Sequence, residues 1–253
     1  MRYSELVEIY EKLEATTKHL EKTAIIEEIL KKAKADDLKD IVYLLEGRVF
    51  PEWDERKIGF SNRLVIKAIA SVSGASAEEV ESLWSKKGDL GIVAEELMMK
   101  RKQSALHVRE LSASNVLSNI RKLAEMEGEG TFTRKISLVT ELLSNAKPPE
   151  VKYIVKTILE ELRVGTAGGI IRDAIAKAFD KNVEDVEATF NLLVDYGETA
   201  LLAKENKLGK TQLKPGRPLK VMLAVLVKSI EEAFEAVGKP MQLENKLDGF
   251  RLQ

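Results

Sequence analysis

Helical periodicity runs through almost the whole chain and is the feature that most limits its fold. In the first segment, Leu6, Ile9, Tyr10 and Leu13 recur at the i, i+3, i+4, i+7 spacing of an amphipathic helix. The same pattern returns in further short segments, which are separated by breaks of only a few residues, and no strand pattern precedes residue 240. The sequence therefore predicts a compact all-α domain of about 10–13 short helices.

Side chains that can cap helix N-termini stand in front of several of these segments. Ser76 is the clearest example, since a glutamate follows it three residues later, as in a capping box. We predict helix starts at Asp37, Ser61, Ser76, Asp89 and at Ser112 or Ser114. Later helices are predicted at residues 132–145, 149–163, 169–179 and 183–195.

Composition excludes several kinds of site. The 253 residues include no Cys and two His, His19 and His107, so thiol catalysis, disulfides and a metal site built on Cys or His are excluded, and we expect no metal. The formal net charge is −1, so a nucleic-acid-binding protein of this composition must segregate its basic residues locally. The acidic N-terminus is no targeting signal, and no apolar run reaches the ~18 residues of a membrane span. We expect a soluble, cytoplasmic protein with no membrane contact.

The composition changes after Ala203. Residues 204–220 carry six basic residues against one acid, and Pro215, Gly216 and Pro218 prevent a continuous helix there. A final amphipathic helix is predicted over 221–237, followed by a short strand and turn. We predict two parts: an all-α domain over residues 1–214, and a linker with the beginning of a second domain over residues 215–253.

The strand-and-turn segment contains a Lys-x-Asp-Gly pattern formed by Lys246, Asp248 and Gly249. This pattern resembles the nucleotide-attachment motif of covalent nucleotidyltransferases, in which a lysine amine attacks the α-phosphate of a nucleoside triphosphate. Glu244 lies two residues before the lysine and Arg251 five residues after it, which makes the resemblance more specific. The alternative is a surface turn in which Asp-Gly only punctuates a hairpin.

The rest of the chain resembles the N-terminal DNA-binding domain of ATP-dependent DNA ligases of the archaeal and eukaryotic type. The similar stretches occur in the order found in that family and extend over essentially the whole chain. They are residues 43–51 (YLLEGRVFP), 128–135 (GEGTFTRK), 149–154 (PEVKYI), 162–167 (LRVGTA) and 215–224 (PGRPLKVMLA).

The resemblance implies roles for the C-terminal motif. Lys246 is then the adenylated nucleophile, Glu244 recognises the adenine amino group and Arg251 contacts the ribose. ATP and Mg²⁺ are the implied cofactors of the full-length enzyme, and we expect neither to be bound by this chain alone. The partner implied is nicked double-stranded DNA.

The resemblance also places two glycine-containing loops against the DNA backbone. Such loops leave free N–H groups at the helix start that follows, where a phosphate can bind, and contacts of this kind are independent of base sequence. The alternative is that these glycines only end the preceding helices. The implied DNA-contacting residues are Gly128, Gly130, Thr131, Arg134, Lys135, Arg163, Gly165, Thr166 and Ala167.

The chain departs from the family in three ways. Leu247 stands where a tyrosine is common, and Gly168-Gly169 stands where an acid is common, which predicts a looser loop. The remainder of a nucleotidyltransferase domain and an OB-fold domain do not fit after Gln253, so we expect a fragment of a ligase that does not seal nicks alone. The same length argues against another interpretation, that the chain is a minimal but complete nucleotidyltransferase.

Two further alternatives concern partners. The segment Gln103–His107 lies where archaeal ligases carry a sliding-clamp docking peptide, but it lacks the aromatic pair of that peptide, so it is either a clamp site or an exposed loop. The competing interpretation of the whole chain is a non-catalytic all-α protein-interaction module whose Lys-x-Asp-Gly is accidental. This module predicts no affinity for duplex DNA.

Overall fold

The structure is a computed structural model that describes residues 1–101, 110–213, 215–220, 226–245 and 248–249. Within these residues it forms thirteen α-helices and no strand, and the all-α prediction is confirmed. The helices are α1 (Tyr3–Glu14), α2 (His19–Lys32), α3 (Ala35–Leu45), α4 (Asn62–Ser73), α5 (Ala77–Lys87), α6 (Leu90–Met99), α7 (Ala113–Glu125), α8 (Thr131–Ser144), α9 (Pro148–Ile158), α10 (Gly168–Ala178), α11 (Val183–Leu193), α12 (Tyr196–Lys204) and α13 (Ile230–Val237).

The chain divides into two compact units, residues 1–220 and residues 221–253. The first unit contains α1–α12, and the second contains α13, which has no buried residue. The predicted boundary between two functional domains at residue 214 stays a prediction. Among the described residues, none of the helices combines the length and the apolar character needed to cross a bilayer.

The core of the first unit lies where helices distant in sequence pack together, chiefly α6 on α9, α2 on α10, α3 on α12 and α4 on α8. Tyr3, Tyr10 and Tyr153 are among its largest fully buried side chains. The rings of Tyr10 and Tyr153 lie 4.8 Å apart between centroids, and the Tyr10 hydroxyl donates to the Leu44 carbonyl at 2.9 Å. A buried tyrosine hydroxyl usually finds such a partner, as that of Tyr10 does here.

Three of the predicted N-caps are confirmed, because the side chains of Ser76, Asp89 and Ser112 accept hydrogen bonds from the third residue after each of them. The prediction for Asp37 was wrong. Helix α3 begins at Ala35, and the Asp37 carboxylate instead pairs with the N-terminal ammonium group at 2.7 Å. This charged contact is tertiary and leaves no local sequence signal.

Helix α12 was not predicted from the sequence. The helix predicted over 183–195 ends at Leu193, because Val194 adopts a left-handed conformation with φ of 51°. Asp195 then begins α12, and its side chain accepts from the Glu198 N–H at 2.8 Å. A β-branched residue at positive φ is unusual, so this break has no common sequence signature.

In the second unit, the helix predicted over 221–237 is shorter among the described residues. It begins at Ile230, with the Ser229 hydroxyl accepting from the Glu232 N–H at 3.1 Å. The predicted strand and turn lies partly outside the described residues. Its described part, in residues 243–245 and 248–249, contains no strand, since a strand needs a neighbouring strand for its hydrogen bonds.

Candidate nucleic-acid interface

The first candidate loop precedes α8. Gly128 and Gly130 have φ of 89° and 72°, values that glycine adopts without steric cost. The Thr131 hydroxyl donates to the Gly128 carbonyl, and the Arg134 guanidinium donates to the Glu127 carbonyl at 2.8 Å. The loop is thus folded over the first turn of α8, while both glycines and Arg134 remain exposed.

The N-cap of α8 is Gly130, which has no side chain to satisfy the first N–H groups of the helix. Free N–H groups at a helix start, with the positive end of the helix dipole, favour an anion. The same turn exposes the ring of Phe132, which is 69% accessible. Phe132 was not among the residues predicted from the sequence.

Lys135 lies close to this loop but is buried. Its ammonium group donates to the carbonyls of Ile58 and Gly59, at 3.3 Å in each case. Gly59 has φ of 61°, and the lysine occupies the space next to it. The structure therefore places Lys135 as a support for the chain at residues 58–59, with its charge directed into the protein.

The second candidate loop, residues 160–167, joins α9 to α10. Its backbone is unusual, because Glu160, Arg163 and Gly165 have φ of 57°, 50° and 72°. Leu162 and Val164 alternate with them and are buried. This alternation of buried and exposed positions leaves the Arg163 side chain 70% exposed, in an ion pair with Glu161 at 3.4 Å.

Two hydrogen bonds with other helices hold this second loop. The Lys22 ammonium group in α2 donates to the Val164 carbonyl, and the Thr166 hydroxyl donates to the Leu45 carbonyl at the end of α3. A buried lysine needs such an acceptor, because an unpaired charge is costly inside a protein. The loop is therefore fixed in place, and Thr166 contributes its hydroxyl to that scaffold.

Helix α10 starts directly after the second loop. Its N-cap is Ala167, which provides no side-chain acceptor, so its first N–H groups are uncapped by a side chain, as in α8. A Cβ added to Gly168 would lie 3.3 Å from the Tyr196 ring. A Cβ added to Gly169 would have no atom within 4 Å. The glycine pair thus combines one packed position with one open position.

A depression of about 280 Å³ lies between this loop and residues Glu46 and Gly47. Burial raises the pKa of Glu46 to about 8; Arg48 opposes that change, and Asp195 and Glu52 add to it. A carboxyl group that stays protonated near neutral pH does not repel a phosphate.

Residues 46–60, which we call the connecting segment, run from α3 towards α4 and contact both loops. At one end, a Cβ added to Gly47 would lie 2.9 Å from the Leu162 Cβ, so segment and second loop are in tight contact. At the other end, Gly59 accepts the hydrogen bond from Lys135 of α8. Residues 43–51 resemble the ligase family, but their sequence did not predict that the segment contacts both loops.

The predicted basic linker is folded against the first unit. The Arg217 guanidinium pairs with the Glu198 carboxylate at 2.7 Å and lies 4.6 Å from the centroid of the Trp53 ring. The Lys220 ammonium group pairs with the Glu52 carboxylate. Glu52 and Trp53 belong to the connecting segment, so two of the linker cations contact it.

The predicted nucleotide-binding residues are only partly described. Lys246 and Arg251 lie outside the described residues, as does the proposed clamp-docking segment Gln103–His107. Glu244 is exposed, and its carboxylate accepts a hydrogen bond from the Gln242 amide. Because ligand sites enclose most of their ligand, these exposed side chains do not form a nucleotide pocket by themselves.

The fold and loops together define an all-helical domain in which two glycine-containing loops each lead into a helix start that has no side-chain cap. Comparison with known proteins gives a specific assignment: a family model described as DNA ligase N terminus matches residues 2–176. The chain belongs to this DNA ligase family.

Several archaeal DNA ligases resemble the chain over its whole length. The DNA ligase of Nanoarchaeum equitans is 43% identical over 256 residues, which cover 100% of this chain and 45% of that protein. The DNA ligase of Methanothermobacter thermautotrophicus is 43% identical over 254 residues (99% and 45%), and that of Thermococcus onnurineus is 38% identical over 256 residues (100% and 46%). The chain spans less than half the length of these relatives. These matches do not favour the alternative of an unrelated interaction module.

Proposed function

We propose that this chain provides the duplex-binding part of an ATP-dependent DNA ligase and binds the phosphate backbone of nicked DNA without sequence preference. The observation that carries the proposal is that two glycine-containing loops, each with an exposed arginine (Arg134 or Arg163), lead into α8 and α10, whose N-caps Gly130 and Ala167 offer no side-chain acceptor to the first N–H groups. Backbone N–H groups bind phosphates of any sequence, which suits an enzyme that acts at every nick.

The proposed contacts come from both loops. Gly128, Gly130 and Thr131 bring the backbone of the first loop close to a phosphate, with the exposed Arg134 beside them. Gly165, Thr166 and Ala167 do the same in the second loop, where Arg163 is the exposed cation. The Arg163 guanidinium would exchange its Glu161 partner for a phosphate, since surface ion pairs of this kind contribute little. Lys135 supports this surface from within and is not itself a contact.

The C-terminal motif extends the proposal to the whole enzyme. Lys246 is proposed as the residue that forms the lysyl-adenylate, with Glu244 and Arg251 holding the adenine and the ribose of ATP. Mg²⁺ would assist this step in the full-length protein. These assignments follow from the ligase resemblance at residues 244–251, and such an enzyme works inside the cell on chromosomal DNA.

Fluorescence anisotropy with nicked and intact duplexes over a salt series tests the proposal. Binding should weaken steeply with salt, because each neutralised phosphate releases counterions. Arg163→Ala should lower the slope of log K against log salt by about 1, the value for one phosphate contact. Lys12→Ala is the matched control, since Lys12 is an exposed cation of α1. Absence of salt-dependent binding at low salt would contradict the proposal.

Clamp binding by Gln103–His107 also stays a proposal. A pull-down with a cognate sliding clamp should retain the wild-type chain and lose the Gln103→Ala variant. Equal retention of both proteins, or of neither, would contradict a docking role for Gln103.

A further inference from the structure

We propose that the connecting segment, residues 46–60, is itself a DNA-contacting surface, with Arg48 and Lys57 binding backbone phosphates between the two loops. This inference rests on the proposed function, because it extends the same duplex-binding face. It adds a third group of contacts, carried by side chains that lie outside both glycine loops.

The placement of the segment is the first argument. Gly47 touches Leu162 in the second loop, and the carbonyls of Ile58 and Gly59 are held by Lys135 in the first turns of α8. Each end of the segment is therefore attached to one of the proposed phosphate-binding loops. We therefore expect a duplex that engages both loops to pass over this segment.

The segment is fixed in place although it contains no helix or strand. Val49, Phe50, Ile58 and Phe60 are buried in the core. The Arg121 side chain of α7 donates through Nε to the Val49 carbonyl at 2.6 Å. Because the backbone is already anchored, binding through this segment has to order only the side chains that make contact.

The three basic side chains of the segment fall into two groups. Arg56 pairs with the Asp54 carboxylate at 2.7 Å and lies 3.5 Å from Glu125, so its charge is already matched. Arg48 and Lys57 are exposed, and among the described residues neither forms a salt bridge, although Arg48 lies near enough to Glu46 to oppose the rise of its pKa. These two cations are therefore available to phosphates.

The positions of Arg48 and Lys57 match the two ends of the segment. Arg48 directly follows the glycine that touches the second loop, and Lys57 directly precedes the residues held by Lys135. The exposed acid Glu55 lies close to Lys57 in the chain and would oppose a phosphate there. Replacing Glu55 should therefore strengthen DNA binding, whereas replacing Arg48 or Lys57 should weaken it.

The experiment uses the 253-residue chain and a fluorescent nicked duplex over a salt series. Arg48→Ala and Lys57→Ala should each weaken binding by about threefold to tenfold at low salt and lower the salt slope by about 1, and the double variant should lower the slope by about 2. Glu55→Gln should tighten binding by about twofold to threefold, because it removes a like charge. Lys12→Ala should bind as the wild type does.

The outcomes separate this inference from the proposed function. If Arg163→Ala weakens binding while Arg48→Ala and Lys57→Ala behave as Lys12→Ala does, the inference is wrong and the proposed function stands. If the wild-type chain shows no salt-dependent binding, both are wrong. Thermal unfolding by circular dichroism checks that each variant is folded, and Arg48→Gln and Lys57→Gln replace any alanine variant that is not.

Discussion

The hydroxyl of Tyr43 lies 3.0 Å from both carboxylate oxygens of Asp195, across 152 residues of sequence. Asp195 is also the N-cap of α12, where it accepts the Glu198 N–H. One buried carboxylate thus ties the end of α3 to the start of α12. The connecting segment and the second loop both lie directly beside the end of α3, at Gly47 and Leu45.

Removing either partner should destabilise the first unit. We expect Tyr43→Phe to lower the free energy of unfolding by about 1–3 kcal/mol, because it removes a hydrogen bond to a buried carboxylate. Asp195→Ala should cost more, since the helix cap is lost as well, and Asp195→Asn should cost least, since it keeps an acceptor oxygen. Urea unfolding measures all three, and a Tyr43→Phe variant as stable as the wild type would contradict this role.

The pKa of Glu46 predicts a specific pH dependence. Its folded-state pKa of about 8 lies above the unfolded value of 4.5, so the folded state favours the protonated form and stability is lost as pH rises from 4.5 through 8. Glu46→Gln should remove this loss and stabilise the protein at pH 9 by about 1–3 kcal/mol, while changing little at pH 4. A stability difference that is the same at both pH values would contradict the raised pKa.

The local parts of the fold could be predicted from sequence. The caps at Ser76, Asp89 and Ser112 depend on bonds across three residues, and the structure has them. Asp37 failed as a cap because the N-terminal ammonium group, distant in sequence, takes its carboxylate. Helix α12 was missed because Val194 breaks the pattern with a conformation that its side chain does not favour.

In the candidate site, too, contacts between residues distant in sequence could not be predicted. The two glycine loops were selected through the ligase resemblance, because the local glycine pattern alone also fits helix ends. The direction of Lys135 could not be predicted, since its acceptors Ile58 and Gly59 are 77 and 76 residues away. The same holds for the linker, where Arg217 and Lys220 contact the connecting segment at Trp53 and Glu52.

The contacts of the linker predict that the Lys220 amide is protected from hydrogen exchange. The Lys220 N–H donates to the Asn191 carbonyl at 3.1 Å, and Arg217 is the nearest side-chain anchor before it in the chain, so Arg217→Ala should expose this amide. We expect its hydrogen exchange to quicken by about fivefold, the value for an interaction of about 1 kcal/mol. Lys207→Ala is the control, because within the described part of the chain the Lys207 ammonium group pairs only with nearby Glu205. Unchanged exchange in Arg217→Ala would show that Arg217 does not hold the linker.

Gly165 in the second loop and Gly169 in α10 should respond in opposite ways to alanine. Gly165 has φ of 72°, so Gly165→Ala should cost about 1 kcal/mol or more of stability. Gly169 lies in the first turn of α10 with open space around it, so Gly169→Ala should stabilise the helix by about 0.5–1 kcal/mol. Because the added methyl group stands at the proposed phosphate site, the same Gly169→Ala variant should bind duplex DNA more weakly. Paired measurements of unfolding and of DNA anisotropy test this, and a variant that gains stability without losing affinity would remove the start of α10 from the proposed interface.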